Sequence, residues 1–324
     1  MPIRPKIPVM IVTGFLGAGK TTFINRLLMQ NQGVKIGLIE NEFGEVSIDS
    51  RLITDYKPEK IIELNNGCIC CTMSNEFSLT LQELVKQHHH LEHLIIETTG
   101  VADPGPVIKP FYQDEDLKRI FELNGTVCLV DSGNFMNQPL GAEQQKQIIL
   151  SDMIIVNKRS NADALTLHLI YKKLVALNNT AMVTEADYAD LDSLHLYMLQ
   201  PQLQDEFAKK LRKPFYSESN GTDYHSFTIR FGGLINEARF EEWFTYFASI
   251  HNSHIFRIKG LVNFENNPMI GIVQSVGGMT SITEGSVINP HDPLENILVF
   301  IGREISKYDI EKEVQQFLMQ ENSA

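Results

Sequence analysis

The stretch PVMIVTGFLGAGKTTFINRLL, residues 8–28, decides how the first two thirds of the chain fold. It opens as an unbroken apolar run, the pattern of a strand buried on both faces, and passes through a glycine-rich loop. It then continues with Phe23, Ile24, Leu27 and Leu28 at helical spacing. The loop, Gly14 to Thr21, fits G-x-x-x-x-G-K-[ST] in the strand–loop–helix context that this pattern requires. Backbone N–H groups of Gly17, Ala18, Gly19 and Lys20 at the start of a helix are expected to cradle phosphates. Lys20 then reaches the β- and γ-phosphates, and the Thr21 hydroxyl binds Mg²⁺.

Working outward, VKIGLIEN, HLIIETTG, TVCLVDSG and DMIIVNK are further apolar runs, separated by helix-period segments such as Leu79, Leu81, Leu84 and Val85. This alternation predicts an α/β fold, a doubly wound, mostly parallel sheet with ligands at the carboxyl ends of its strands. The turn-forming segment KPFYSESNGTDY, residues 213–224, marks a boundary between a P-loop domain, 1–215, and a smaller α+β domain, 222–324. In the second domain HSFTIRF, HIFRIKGLVNF, MIGIVQSV and ENILVFIG read as strands, and EARFEEWFTYFASI and the C-terminal segment as helices. Trp243, Phe244 and Phe247 fall at helical spacing and read as core.

A phosphate loop needs a second acid for Mg²⁺ and a group that senses the γ-phosphate. Glu97 ends the run LIIE, as the acid of a Walker B-type element does, and the N–H of Gly100 is a candidate for the γ-phosphate. After the second run, ENEFGE places Glu40, Glu42 and Glu45 around a turn, which is either a cation site or a solvated loop. NNGCICC, residues 65–71, puts Cys68, Cys70 and Cys71 within four positions. A disulfide within so short a span is strained or staples almost nothing, so the cluster reads as thiolates that can converge on a soft or borderline metal or do redox work, the alternative being a run of buried small hydrophobes. Cys128, inside TVCLVD, reads as core. His88, His89 and His90 are sequential and cannot converge on one ion from a helix end, and a polar helix terminus accounts for His90 and His93. Asp131 caps the segment after its strand or approaches the Mg²⁺ water shell, the cap being favoured.

Composition narrows the classes. The chain has 324 residues, 43% of them hydrophobic and 21% charged, without an apolar run of membrane-spanning length. A net charge of −12 argues against a nucleic-acid surface. The N-terminal MPIRPKIPVMIVTG lacks the pattern of a cleaved secretory signal, so the cytoplasm is the expected compartment, where thiols stay reduced.

GFLGAGKTT, with Thr22 as its last residue, followed by ENEFGE, GCICC and ETTGVADPGP, resembles the CobW-like family of P-loop metal-chaperone GTPases, and its YjiA-like branch in particular. FRIKGLVNF, QSVGG and VFIGREI are similar to the family's C-terminal module. The resemblance implies a GTPase that binds GTP or GDP with Mg²⁺ and holds a transition metal at GCICC. Zn²⁺ is expected there, with Co²⁺ or Ni²⁺ as alternatives, for nucleotide-controlled delivery to a client metalloprotein. It carries Lys20 and Thr21 to phosphate and Mg²⁺, Glu97 to the Walker B-type role, the three cysteines to the metal, and the ENEFGE carboxylates to supplementary ligation. Where the family reads N-K-x-D for guanine, this chain reads VNKRSNAD: Asn157 and Lys158 are in place, Ser160 occupies the aspartate position, and Asp163 lies three residues late. A histidine-rich metal-storage stretch is not expected, since the inter-domain region has only His225. The reading from another class is a slow-turnover switch or zinc-sensing module without efficient metal transfer. It fits the lack of an obvious water-positioning residue.

Overall fold

The computed structural model describes residues 5–40, 61–63, 74–137, 139–191, 224–288 and 294–321. The chain divides into two compact units, Met1–Tyr171 with Ala181–Gln200, and Lys172–Thr180 with Pro201–Ala324. Glu42, Glu45, Cys68, Cys70 and Cys71 lie outside the described residues, as does the boundary segment before Tyr224.

The first unit is a sheet of seven strands: β1 (Ile7–Gly14), β2 (Ile36–Glu40), β3 (Ile61–Glu63), β4 (His93–Glu97), β5 (Phe121–Asp131), β6 (Met153–Asn157) and β7 (Met182–Glu185). Their order is β3-β2-β4-β1-β5-β6-β7, and every pairing is parallel. Residues of β4 and β6 are buried throughout, as continuous apolar runs require of strands covered on both faces. The chain leaves β1 toward β2 on one side and returns to β5 on the other, so the crevice beyond β1 is the topological switch point where α/β sheets bind ligands. Helix α1 (Lys20–Gln30) buries Phe23, Ile24, Leu27 and Leu28, the face read from the sequence. The remaining helices are α2 (Ser74–Gln87), three short ones, α3 (Gly105–Ile108), α4 (Pro110–Gln113) and α5 (Glu115–Ile120), then α6 (Ala142–Ile149) and α7 (Ala164–Leu177), whose residues from Lys172 onward fall in the second unit.

In the second unit β8 (Tyr224–Gly232), β9 (Ile255–Asn263), β10 (Met269–Val276), β11 (Met279–Val287) and β12 (Glu295–Arg303) form an antiparallel sheet in the order β11-β10-β9-β12-β8. Helices α8 (Glu237–Ile250) and α9 (Lys307–Glu321) contribute Phe240, Phe244, Phe247, Val314 and Phe317 to a core shared with Ile258, Phe264 and Phe300. Trp243 stacks on Phe317 with ring centroids 4.8 Å apart, which makes this aromatic group core, as expected.

Three strands go beyond the sequence expectation: β3, β7 and β11, each at an edge of its sheet. One histidine is displaced from its expected place. His93 is the fully buried first residue of β4, whereas His88, His89 and His90 follow the end of α2. Cys128 is buried in β5 and its thiol is pushed up to about 12 by that burial. No helix among the described residues is long and apolar enough to cross a membrane.

Candidate nucleotide site

Gly14, Gly17 and Gly19 all have positive φ, at 135°, 72° and 100°. The loop turns back through Ala18 N–H to Phe15 C=O at 3.1 Å, so one of the four N–H groups expected to face phosphate is bonded within the loop. Gly19 is the residue before α1 and has no side chain to cap it, which leaves N–H groups of the first turn for an anion. Lys20 is 8% exposed, and its ammonium donates to the carbonyls of Gly14 at 3.3 Å and Phe15 at 3.5 Å. The cation is thereby held over the loop. Thr21 is partly buried and Thr22 exposed.

Strand β4 ends beside the loop. Glu97 pairs in register with Val12 of β1 and Glu40 of β2, and it is 9% exposed. Thr98 continues the join, donating its N–H to Val12 C=O and its hydroxyl to Thr13 Oγ1 at 2.8 Å. At Gly100 a Cβ would lie 2.7 Å from both N and Cα of Leu16, so only glycine lets this segment reach the phosphate loop. Buried Gln147 of α6 donates to the carbonyls of Gly100 at 3.4 Å and Ala102 at 2.9 Å. The neighbouring Lys146 pairs with Asp103 at 2.7 Å.

The other end of the site starts from β6. Asn157 is buried, donates its amide to Ala18 C=O at 2.8 Å, and accepts the N–H of Ala189 at 2.8 Å. A Cβ on Gly19 would lie 2.4 Å from that Asn157 amide, a second reason for glycine there. Lys158 is left-handed, φ 55°. Its ammonium meets Asp131 at 2.8 Å, and its carbonyl accepts the Ser132 hydroxyl at 2.5 Å. Asp131 also accepts from Gly133 N–H and the Asn134 amide, both at 2.9 Å, which is the capping role favoured from the sequence. Burial works to raise its carboxyl, but Lys158, Asn134 and Gly133 together hold it below the usual carboxylate range.

Asp163 does not fold back. Its Oδ1 accepts the Thr166 N–H at 2.7 Å as the residue before α7. Ser160 instead meets Asp187, which follows β7: the Ser160 N–H and hydroxyl both donate to Asp187 Oδ1, each at 2.9 Å. Asp187, Ala189 and Gln147 escaped sequence reading. The only available signal was a polar residue just past an apolar strand, and β7 is too short to announce itself. Among the described residues no three His, Cys, Asp or Glu side chains come together to hold a metal.

Residues 8–185 match the family described as CobW/HypB/UreG, nucleotide-binding domain, and residues 224–318 match the cobalamin synthesis protein cobW C-terminal domain. Zinc chaperone YjiA of Escherichia coli (strain K12) is 32% identical over 313 residues, covering 94% of this chain and 96% of that protein. Zinc chaperone CobW of Sinorhizobium sp is 29% identical over 306 residues, 84% of this chain and 86% of the relative. The crystal structure of Zn(II)-bound YjiA GTPase from E. coli is similar over 97% of this chain and 99% of its own, with a TM-score of 0.69 at 26% identity.

Proposed function

The chain belongs to the CobW/HypB/UreG family, and we propose that this P-loop GTPase binds a transition metal, zinc first, at its GCICC loop and uses its nucleotide state to control delivery to a client metalloprotein. The observation that carries the coupling is the register of β2 on β4. Glu40, which opens ENEFGE, is paired with Glu97, so the segment leading to the metal loop and the acid of the nucleotide site leave neighbouring strands at one level.

In this reading the N–H groups at the start of α1 bind the β-phosphate and Lys20 offsets charge on the γ-phosphate as the bond to it breaks. Gly100, fixed against Leu16 and held through its carbonyl by Gln147, presents its N–H to the γ-phosphate. Thr21, in the first turn of the helix that follows β1, and Glu97, at the end of the strand paired with β1, are hard oxygen donors, a set that fits Mg²⁺. When bound, Mg²⁺ draws charge from the β- and γ-phosphate oxygens. Asn157 and Lys158 shape the base side.

The metal is cargo. Three thiolates favour Zn²⁺ or Co²⁺ over Mg²⁺ or Ca²⁺, and three thiolates leave one position of a tetrahedral zinc shell for Glu40, Glu42, Glu45 or water. An incomplete thiolate shell suits a metal that must leave. The described Cys128 is no substitute ligand, because it is fully buried in β5 within the core. The test is Co²⁺ titration of metal-stripped protein. A thiolate charge-transfer band is expected, and a Cys70→Ala, Cys71→Ala double variant that kept band and affinity would end the metal reading.

A further inference from the structure

Asp187 is the residue the reading of the base has lacked. The segments after β6 and β7 are zipped together: Arg159 N–H donates to Ala186 C=O at 3.0 Å, Arg159 Nε meets Glu185 at 3.1 Å, and Ala189 N–H donates to Asn157 Oδ1 at 2.8 Å. Within this zipper Ser160 stands at the position from which an aspartate would face guanine, and both its donors end on Asp187 Oδ1. Those two bonds, the backbone one first, hold the carboxyl below the usual range, with Arg159 adding to the effect. Tyr188 and Ala189, next in the chain, both have positive φ, 52° and 55°. Two consecutive non-glycine residues in the left-handed region store strain of the kind that collects at ligand sites.

Resting on the GTPase reading above, we infer that Asp187, positioned by Ser160, is the group that recognises the guanine edge in this chain. The chemistry follows from the hydrogen count. The Ser160 hydroxyl gives its only proton to Asp187, so toward a ligand its oxygen offers lone pairs, and among the described residues both bonds fall on Asp187 Oδ1, which leaves the lone pairs of Oδ2 to a ligand. The pair is an acceptor–acceptor surface. Guanine presents two donors on its edge, N1–H and the 2-amino group, whereas adenine presents an acceptor at N1 and is mismatched there. Asp163, three residues from Ser160 in the chain, is occupied in starting α7 and takes no part.

The test is competition binding of GDP, ADP, IDP and XDP to the full chain and to Asp187→Asn, Ser160→Ala and Asp163→Asn. The native protein should prefer GDP over ADP and over IDP, which lacks the 2-amino group. Asp187→Asn should lose roughly 10- to 100-fold in GDP affinity, the range of hydrogen bonds to a charged group, and gain affinity for XDP, whose 2-carbonyl accepts from the new amide. Ser160→Ala should lose a smaller factor, and Asp163→Asn should keep the native order. A gain for XDP is something a merely structural aspartate would not produce. Unchanged GDP selectivity in Asp187→Asn, or equal loss of all four nucleotides, overturns the assignment and leaves the GTPase reading standing. Equal GDP and ADP affinity in the native protein overturns the guanine premise itself.

Discussion

At the phosphate end of the proposed nucleotide site one continuous stretch, Gly14 to Thr21, supplies the loop, the cation and the helix start. The base end is assembled from segments 27 to 32 positions apart in sequence, joined by side-chain hydrogen bonds of Ser160 to Asp187 and of Asn157 to Ala189. The two constructions differ in what they depend on. Backbone N–H groups and glycine conformations bind phosphate whatever most neighbouring side chains are, so that end is a fixed pattern. The base end depends on individual polar atoms meeting across the fold.

Lys20→Ala should separate the ends most sharply. It removes the buried cation held over the loop and should lower the hydrolysis rate by roughly 100-fold or more, the scale of losing a main electrostatic stabiliser of the transition state. Base discrimination among bound nucleoside diphosphates should survive it. Phosphate release measured alongside GDP and ADP competition checks both halves, and loss of base preference would show that the ends are not separable.

Asn157→Ala should join what Lys20→Ala separates. The variant strands Ala18 C=O and Ala189 N–H in a buried position, which costs about 2–4 kcal/mol for two unsatisfied groups. Urea unfolding should register that loss, and nucleotide affinity should fall for guanine and adenine forms together, since the loop and the base-side turn are both released. A variant of native stability would mean that the clamp is not closed in solution.

The smallest effect is expected at Asp131, which supports the base end from β5 through Lys158. Its folded-state carboxyl is depressed, so it contributes stability that is fully present above the unfolded value near pH ~4 and lost as pH falls through the lower folded value. Asp131→Asn should therefore cost about 1 kcal/mol at neutral pH, the partner ammonium being more than a third exposed. The difference from the native chain should shrink as the medium is taken below pH ~4. A gap that persists unchanged in acid would assign the effect to shape rather than charge.

The same contrast explains what the sequence could reveal of the fold. The central strands β1, β2, β4, β5 and β6 announce themselves as apolar runs because both their faces are covered. The three strands that went unseen are edges: β3 has three residues, β7 is half-buried along its length, and β11 mixes polar residues with partial exposure. An edge strand buries too little to need an apolar run. Asp187 was invisible for a related reason, since it follows one of those silent edges. At the phosphate end, Lys20 and the loop glycines were legible because their contacts are local, and Gly100 because it follows Glu97 closely on a strand that is itself plain in the sequence.

The central claim is that the nucleotide and the metal share one equilibrium, and it is tested most directly by Zn²⁺ affinity. Metal-stripped protein is titrated without nucleotide, with GDP and with a non-hydrolysable GTP analogue, the chelation by each nucleotide being subtracted. With Glu40 and Glu97 in register on adjacent strands, the account predicts affinities that differ between the GDP and GTP-analogue forms by roughly 5- to 150-fold, and an equal reciprocal effect of Zn²⁺ on nucleotide affinity. One Zn²⁺ affinity common to all three states would contradict it.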